Sequence, residues 1–554
     1  MVPSSWEHIR QVPGRKLGAR VEPVRREALP TVIAEQIQRF ILEEGLQSGD
    51  PLPSERELLA QLGVSRSSLR EALTALEMMG WLRSQQGRRR VVAVPQSFAE
   101  GLDHERLVEL VRYEAIQAAQ EGRQVDGLSL ELDGLRQAPR EELERLLGRL
   151  GQAPIRADFP YVEPDDLPTI LAEAGGPEGE AAAKPAGPLT LRPEELIDRL
   201  AGAWYGRVAG CMLGRPVELW SRAAIERYLK RAHAWPLRDY LPYKPEATSP
   251  DFALPPAVRR ACKGHLHGAI RDDDLDFTVL NLLLLERHGP QFTTAHVAET
   301  WLHFLAFRNV YTAEEVTYRN LVQGVPAPVA GGYRNPFREW VGARIRADLF
   351  GYVQPGRPQA AAAMAYRDAV LSHRKNGVYA AMAVAAMVAQ ALVGSDLEAV
   401  LAAGRAVIPA RSRLAEAIRL VEELAGQGAS WEEAVAEVEA RFAGYSEIHA
   451  LPNEAIVWLA LIYGEGEYTA SITLATLAGQ DTDCNAATVG SIVGALNGFS
   501  ALPGHWLEPL ADTLEVALAG HGALRISDLV ERTWQVARRL VGGEPTAAEE
   551  RQPV

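Results

Sequence analysis

Two acidic segments, about two hundred residues apart, restrict what this chain can fold into. They are Arg271-Asp272-Asp273-Asp274-Leu275-Asp276-Phe277-Thr278 and Gly479-Gln480-Asp481-Thr482-Asp483-Cys484-Asn485. Each gathers carboxylates at the edge of a strongly apolar helical stretch, where negative charge without a partner is costly. Taken singly, either segment reads as an Asp-rich turn capping a helix. Taken together, they offer enough oxygen donors for two hard divalent cations. Asp481 and Asp483 stand two positions apart and cannot share a face inside a helix. They can converge from a turn at a helix N-terminus, where the macrodipole also favours anions.

A length of 554 residues predicts two or three domains and a large buried core. Cys211, Cys262 and Cys484 show no CxxC spacing, which argues against a zinc finger or disulfide framework and for a reducing cytoplasm. The first twenty residues hold no apolar core and so do not read as a secretory signal. Val378 to Val393 is the longest apolar run; it is too short to span a bilayer and predicts a buried helix, with no membrane as partner. Charge is divided unevenly. Of 58 Lys+Arg and 72 Asp+Glu, residues 1–95 hold 14 and 11, so a mildly basic head precedes an acidic body. That division suits a nucleic-acid-binding module attached to something else.

The head is predicted to be helical from Leu29, with Ile33, Ile37, Phe40 and Ile41 at helical spacing. Gly49 to Pro53 is a turn, and Ser54-Glu55-Arg56-Glu57 is a capping box opening a helix that runs through Leu62 and stops at Gly63. Ser65 to Met79 forms the next helix, with Leu69, Leu73 and Leu76 on its core face and Arg66 and Arg70 one turn apart on another. Two helices joined by a short Gly-containing turn are a helix-turn-helix, whose second helix enters the major groove. Trp81-Leu82 and Val91 to Val94 then predict two strands around the basic tip Gly87-Arg88-Arg89-Arg90. In its residues Leu52-Pro53-Ser54-Glu55-Arg56-Glu57-Leu58, Leu62-Gly63-Val64-Ser65-Arg66 and Leu69-Arg70-Glu71-Ala72-Leu73, this segment resembles the winged-helix domain of GntR-type regulators. The resemblance implies that Arg56, Ser65, Arg66 and Arg70 touch duplex DNA, with Gly87, Arg88 and Arg89 in the wing. Three arginines where the family's wing tip is Gly-rich imply phosphate rather than base contact. Regulators of this architecture are typically dimeric, so a homodimer is expected.

Residues 101–153 carry helical patterning, with Leu107, Val108, Leu110 and Val111 in one cluster and Leu143, Leu146, Leu147 and Leu150 in another. Pro164-Asp165-Asp166-Leu167 predicts a capped helix start, and residues 175–188 a low-complexity linker. From Leu189 to about Val541 the pattern is overwhelmingly helical. Small residues crowd Ala201 to Gly210 and permit close helix contact, and Gly214-Arg215-Pro216-Val217-Glu218 then places one carboxylate at the helix mouth.

Gly210 to Glu218, Asp272-Asp273-Asp274, Ser372-His373, Asn376-Gly377 and Gly479 to Ala487 occur in the order found in proteins of the ADP-ribosylglycohydrolase type, which this body resembles. Fainter similarity extends back through Phe159 to Leu167 and the 105–150 stretch. The fold class expected is therefore an N-terminal winged helix (α+β) followed by an all-α ADP-ribosylglycohydrolase-like domain. The segments are a tail at 1–28, the winged helix at 29–95, a module at 96–541 (a lead-in at 96–188, a body at 189–541) and a disordered tail at 542–554. The resemblance implies two Mg2+ ions between the acidic motifs, with Asp272, Asp273, Asp274, Asp481, Asp483 and Cys484 as candidate metal ligands. It implies Glu218, Asp273 and Asp481 as catalytic residues, and His373, Asn376, Gly377 and Asn485 around an ADP-ribosyl or other ribosyl substrate. The reaction implied is hydrolysis at ribose C1, with Glu218 as general base or ligand. Asp272 and Leu275 stand where the family usually has Thr. Cys484 also stands where Thr is common, and a thiol is a poor partner for a hard cation. One of the two metal sites is therefore expected to be altered or empty. Three readings follow: an active hydrolase joined to a DNA reader, a body that senses a nucleoside-like ligand without turnover, and an enzyme whose winged helix serves only protein contact. Arg66, Arg70 and the basic wing argue against the third.

Overall fold

The structure, a computed structural model, describes residues 33–34, 36–38, 40–41, 46, 50–78, 81–83, 90–92, 102–125, 132–174, 191–249, 252–394 and 396–542. The chain divides into two compact units, Met1–Val94 and Pro95–Val554.

In the first unit, α1 (Glu55–Leu62) begins at a complete capping box: the Ser54 hydroxyl accepts from Glu57 N, and the Glu57 carboxylate reaches back to Ser54 N. Gly63 closes it in the left-handed region at φ 63°. The following helix α2 (Arg66–Met78) buries Leu69, Leu73 and Leu76. Strands β1 (Leu82–Arg83) and β2 (Val91–Val92) pair antiparallel with Leu82 opposite Val92. On the other edge of β2, Val92 N donates to Asp50 O at 2.8 Å and Leu52 N to Arg90 O at 2.9 Å, so the base of the wing is held from both sides. Gly87, Arg88 and Arg89 lie outside the described residues, as do the segments 1–28, 175–188 and most of 542–554.

Among its described residues the second unit is helical, apart from a small antiparallel hairpin, β3 (Thr513–Glu515) with β4 (Ala523–Arg525), which the helical patterning did not announce. Its lead-in holds α3 (His104–Gln120) and α4 (Arg140–Gln152), whose apolar faces share a core with Phe337 and Trp340 of the body. A buried lattice of charges fixes the same joint. Arg338 donates two hydrogen bonds to Glu114, at 2.8 and 3.0 Å, and one to Glu121 at 2.6 Å. Lys375 Nζ lies 3.2 Å from Glu121. Arg413 bridges Glu163 and Glu339 at 2.7 to 2.9 Å. Burying such ions costs several kcal/mol each, so each survives only because the other sign is beside it.

The main core is built on α5 (Pro193–Gly214), α6 (Asp273–His288), α7 (Lys375–Ala391), α8 (Ala450–Tyr463) and α9 (Thr482–Asn497). No helix among the described residues is long and apolar enough to cross a membrane. Helix α7 is instead buried on all sides, as its apolar run predicts. Helix α5 carries Gly202, Gly206, Gly210 and Gly214 at four-residue intervals, which puts them on one stripe. Helix α9 runs antiparallel against that stripe, and a methyl at any of the four would overlap a main-chain carbonyl oxygen: Gly494, Gly490, Ala486 and Thr482 in turn. Gly490 and Gly494 meet α5 in the same way. The two backbones therefore touch along the whole length of the contact, and the Thr482 hydroxyl donates to Gly214 O at 2.8 Å at its end.

Because both sides of that contact are backbone, it has nowhere to give. Gly206→Ala and Gly490→Ala are each expected to destabilise the body by about 3 kcal/mol in urea denaturation. Gly148→Ala, in α4 where an added methyl meets open space, is expected to be neutral to mildly stabilising, by at most about 1 kcal/mol.

Candidate active site

The end of α5 and the first turns of α6 and α9 converge, and the two acidic segments meet there. Asp272 is the N-cap of α6: one oxygen accepts from Asp274 N at 3.1 Å, and the other is ion-paired with Arg215, just past α5. Asp274 is buried, faces Arg207 Nη2 at 3.4 Å with Oδ1, and accepts a hydrogen bond from Cys484 Sγ at 3.0 Å on Oδ2. Asp276 points elsewhere, paired with Arg271 at 2.7 Å and accepting from Ala517 N at 2.8 Å, so it anchors the motif to the hairpin. Asp481 holds the N-cap position of α9 without capping it by its side chain. Asp483 sits in the first turn, 4% exposed, and its Oδ1 has no hydrogen-bond partner. The turn before it is fixed by left-handed Gly479 and Gln480, whose carbonyl accepts from Leu219 N at 2.9 Å next to Glu218.

Donor atoms of Asp272, Asp274 and Asp483 lie within 4.8 Å of one another, and so do those of Asp481, Asp483 and Cys484. These are two groups sharing Asp483, each of a size to hold a cation, and the orphaned Asp483 oxygen is what such a cation would satisfy. Within the first group Asp272 is ion-paired with Arg215 and Asp274 meets Arg207 and Cys484, whereas Asp483 Oδ1 has no hydrogen-bond partner. Asp273 and Glu218 belong to neither group. Asp273 is half-buried beside them, and Glu218 is exposed at the mouth.

The carboxylates repel one another. Glu218 is pushed up to about 9, first by the charge of Asp483, then by burial of its carboxyl and by Asp273, with Arg215 opposing. Since the side chain as a whole is open to solvent, the neighbouring charge is the cause to credit. Burial leads for Asp274, raised to about 7 against Arg207, and for Asp273, raised to about 6 against Arg271. Asp481 is raised well above the ordinary range by burial and by Asp483. A folded chain with raised carboxyls holds protons that its unfolded form has released. Its stability therefore falls as pH rises from the ordinary carboxylate range toward about 9. Without divalent ions Tm is expected to drop between about pH 5 and pH 8. Millimolar Mg2+ or Mn2+ should raise it more at the higher pH, and Asp483→Asn should flatten both effects in calorimetry.

The residues expected around the substrate are placed as follows. His373 is fully buried; its Nδ1 is 2.8 Å from Ser372 Oγ, Nε2 has no partner, and burial beside Arg346 and Arg374 holds the imidazole well below its usual range, so it is neutral. Asn376 spends its amide on Glu163 and Glu339, at 2.8 and 2.7 Å, and its oxygen on Leu414 N. Gly377 makes room for Arg338 O and the His373 ring. Asn485 links Arg344 at 2.7 Å to Asn453 at 2.8 Å, and Asn453 also accepts from Asp481 N at 3.2 Å. The structure thus gives Asn376, Gly377 and Asn485 scaffolding contacts. Arg207, Arg215 and Asn453, which the sequence reading passed over, hold the carboxylates in place. Arg207 carried a signal: a lone charge inside the small-residue run of α5 must find a buried partner, and it bridges Asp274 to Asp348 at 2.9 Å.

In the first unit Arg56, Arg66 and Arg70 are exposed, with Arg70 Nε only 3.5 Å from Glu55. The Ser65 hydroxyl accepts from Ser68 N at 3.2 Å and so caps α2. If α2 meets phosphates, Arg66→Ala and Arg70→Ala should each flatten the dependence of log Kd on log salt for duplex DNA by about 1.

Residues 192–544 match the ADP-ribosylglycohydrolase family, and residues 29–92 match the gntR family of bacterial regulatory proteins. The head is similar to the HTH-type transcriptional repressor NanR of Cronobacter sakazakii, 40% identical over 84 residues, 15% of this chain and 32% of that protein. It is similar also to the Glc operon transcriptional activator of Escherichia coli, 49% identical over 63 residues, 11% of this chain and 25% of that one. The match thus spans about a quarter to a third of those relatives' length. A solved structure, an ADP-ribosylglycohydrolase-related protein complex, aligns with 62% of this chain and 99% of its own at 21% identity and a TM-score of 0.42.

Proposed function

The chain belongs to the ADP-ribosylglycohydrolase family, and from that premise we propose that its body is a divalent-cation-dependent hydrolase cleaving the bond at ribose C1 of an ADP-ribosyl or related ribosyl compound. The GntR-type head then binds a duplex operator, as one half of a homodimer, and couples transcription to the same metabolite. The observation that carries the reading is the convergence of Asp274, Asp481 and Asp483 on two donor groups beside Glu218.

A bound cation would offset the carboxylate charge, orient ribose hydroxyls and polarise a water. Asp481, Asp483 and Asp274 are the residues that would hold it. Arg207 and Arg215 keep Asp274 and Asp272 in place without filling the orphaned Asp483 oxygen. Glu218, at the mouth, is the group placed to take the proton of the attacking water. Its affinity for that proton is set chiefly by Asp483, so neutralising Asp483 brings Glu218 down toward the range of a working base. His373 is neutral, and its Nε2 has no partner.

One observation favours a second reading, a body that binds a ribosyl ligand without turning it over: both oxygens of Asp272 are engaged, which narrows the first donor group. Mass-spectrometric turnover of ADP-ribosyl and ribosyl compounds separates the two. Cation-dependent hydrolysis is expected, lost by more than about a hundredfold in Asp481→Ala/Asp483→Ala and strongly reduced in Glu218→Gln. Cation-dependent binding with no product would leave the sensor reading standing.

A further inference from the structure

We propose that the group Asp481, Asp483 and Cys484 takes a thiophilic divalent ion of the later transition series, with Cys484 Sγ as one of its ligands, in preference to magnesium. The inference rests on the metal-binding half of the reading above and not on turnover. Cys484 occupies the first turn of α9 next to Asp483, and its sulfur lies within 4.8 Å of donor oxygens of both Asp481 and Asp483. The hydrogen bond it gives to Asp274 Oδ2 at 3.0 Å aims it into the carboxylates. The second, independent observation is that Asp483 of the same group is buried and its Oδ1 has no hydrogen-bond partner.

The sulfur has little freedom to swing away. The turn that carries it is held by the Thr482 hydroxyl on Gly214 O at 2.8 Å and by Asn485 between Arg344 and Asn453. Residue 484 is 6% exposed, so a metal–sulfur bond there would be shielded from solvent oxidants. Oxygen-only sites suit magnesium, whereas a thiolate beside carboxylates selects ions such as zinc or cobalt. On binding, the S–H bond is exchanged for a sulfur–metal bond, and the proton passes by way of the accepting Asp274 oxygen to solvent. No electron is transferred.

The test is a Co2+ titration of the full-length protein, followed by the sulfur-to-cobalt charge-transfer band in the near ultraviolet. One equivalent should develop the band in the parent and in Cys211→Ser, and none should appear in Cys484→Thr or Cys484→Ser. Dialysis against about a hundredfold excess of Mg2+ over Zn2+ or Co2+, then metal analysis, should leave the transition ion bound, and Cys484→Thr should lower that preference by about tenfold or more. Failure to bind Co2+, stoichiometric binding without the band, or a band that persists in both Cys484 variants would overturn the proposal. Turnover supported only by magnesium, with no band, would sink this inference and leave the hydrolase; a band without turnover under any metal would do the reverse.

Discussion

Everything at the site hangs on one contact, the backbone-to-backbone apposition of α5 and α9. A helix pair ordinarily meets through side chains, with axes 8 to 10 Å apart. Here carbonyl oxygens of one helix occupy the volume where the other would carry a methyl, at four successive turns. Such a joint has no slack, and it fixes register as well as distance: Gly214 must fall opposite Thr482. That single register sets Glu218, immediately after a short 3-10 turn, beside the first turn of α9 with its two aspartates.

Close apposition brings negative charge together faster than the protein neutralises it. Arg207 and Arg215 each answer one carboxylate, and Arg207 is drawn off in part toward Asp348. Asp481 and Asp483 have no arginine or lysine within ion-pair distance among the described residues, and the carboxyls around them are raised accordingly. The surplus is localised on α9, the helix whose N-terminal dipole partly stabilises it. Rigidity and surplus charge are the two properties that a cation site needs in place before the ion arrives.

Helix existence, the capping box at Ser54, the stop at Gly63 and the burial of the 378–393 run could be read from the residues, because each depends on neighbours within one turn or on composition. The acidic motifs were legible as motifs. That cations lie between them was implied by the resemblance; the register that brings them together was not legible, since it depends on the pairing of two glycine stripes some 280 residues apart, and spacing within one helix does not say which partner fills it. The contacts of Asn376 and Asn485 were likewise hidden. A polar residue next to a motif looks the same in sequence whether it faces a ligand or, as here, Glu339 and Arg344. The hairpin at 513–525 escaped notice because three-residue strands leave no alternation to detect.

The charge lattice at the lead-in joint bears on where the smallest foldable piece of this protein begins. Glu114, Glu121 and Glu163 lie upstream of residue 192, where the match to the family starts, yet they are the counter-ions of Arg338, Lys375 and Arg413 inside it. Cutting the chain at the family boundary would remove the counter-ions of Arg338 and Lys375 and one of the two of Arg413, and would uncover Phe337 and Trp340 as well. The unit able to be moved intact between proteins therefore starts near residue 102. The segment that looks like a tether between two modules is the first layer of the second.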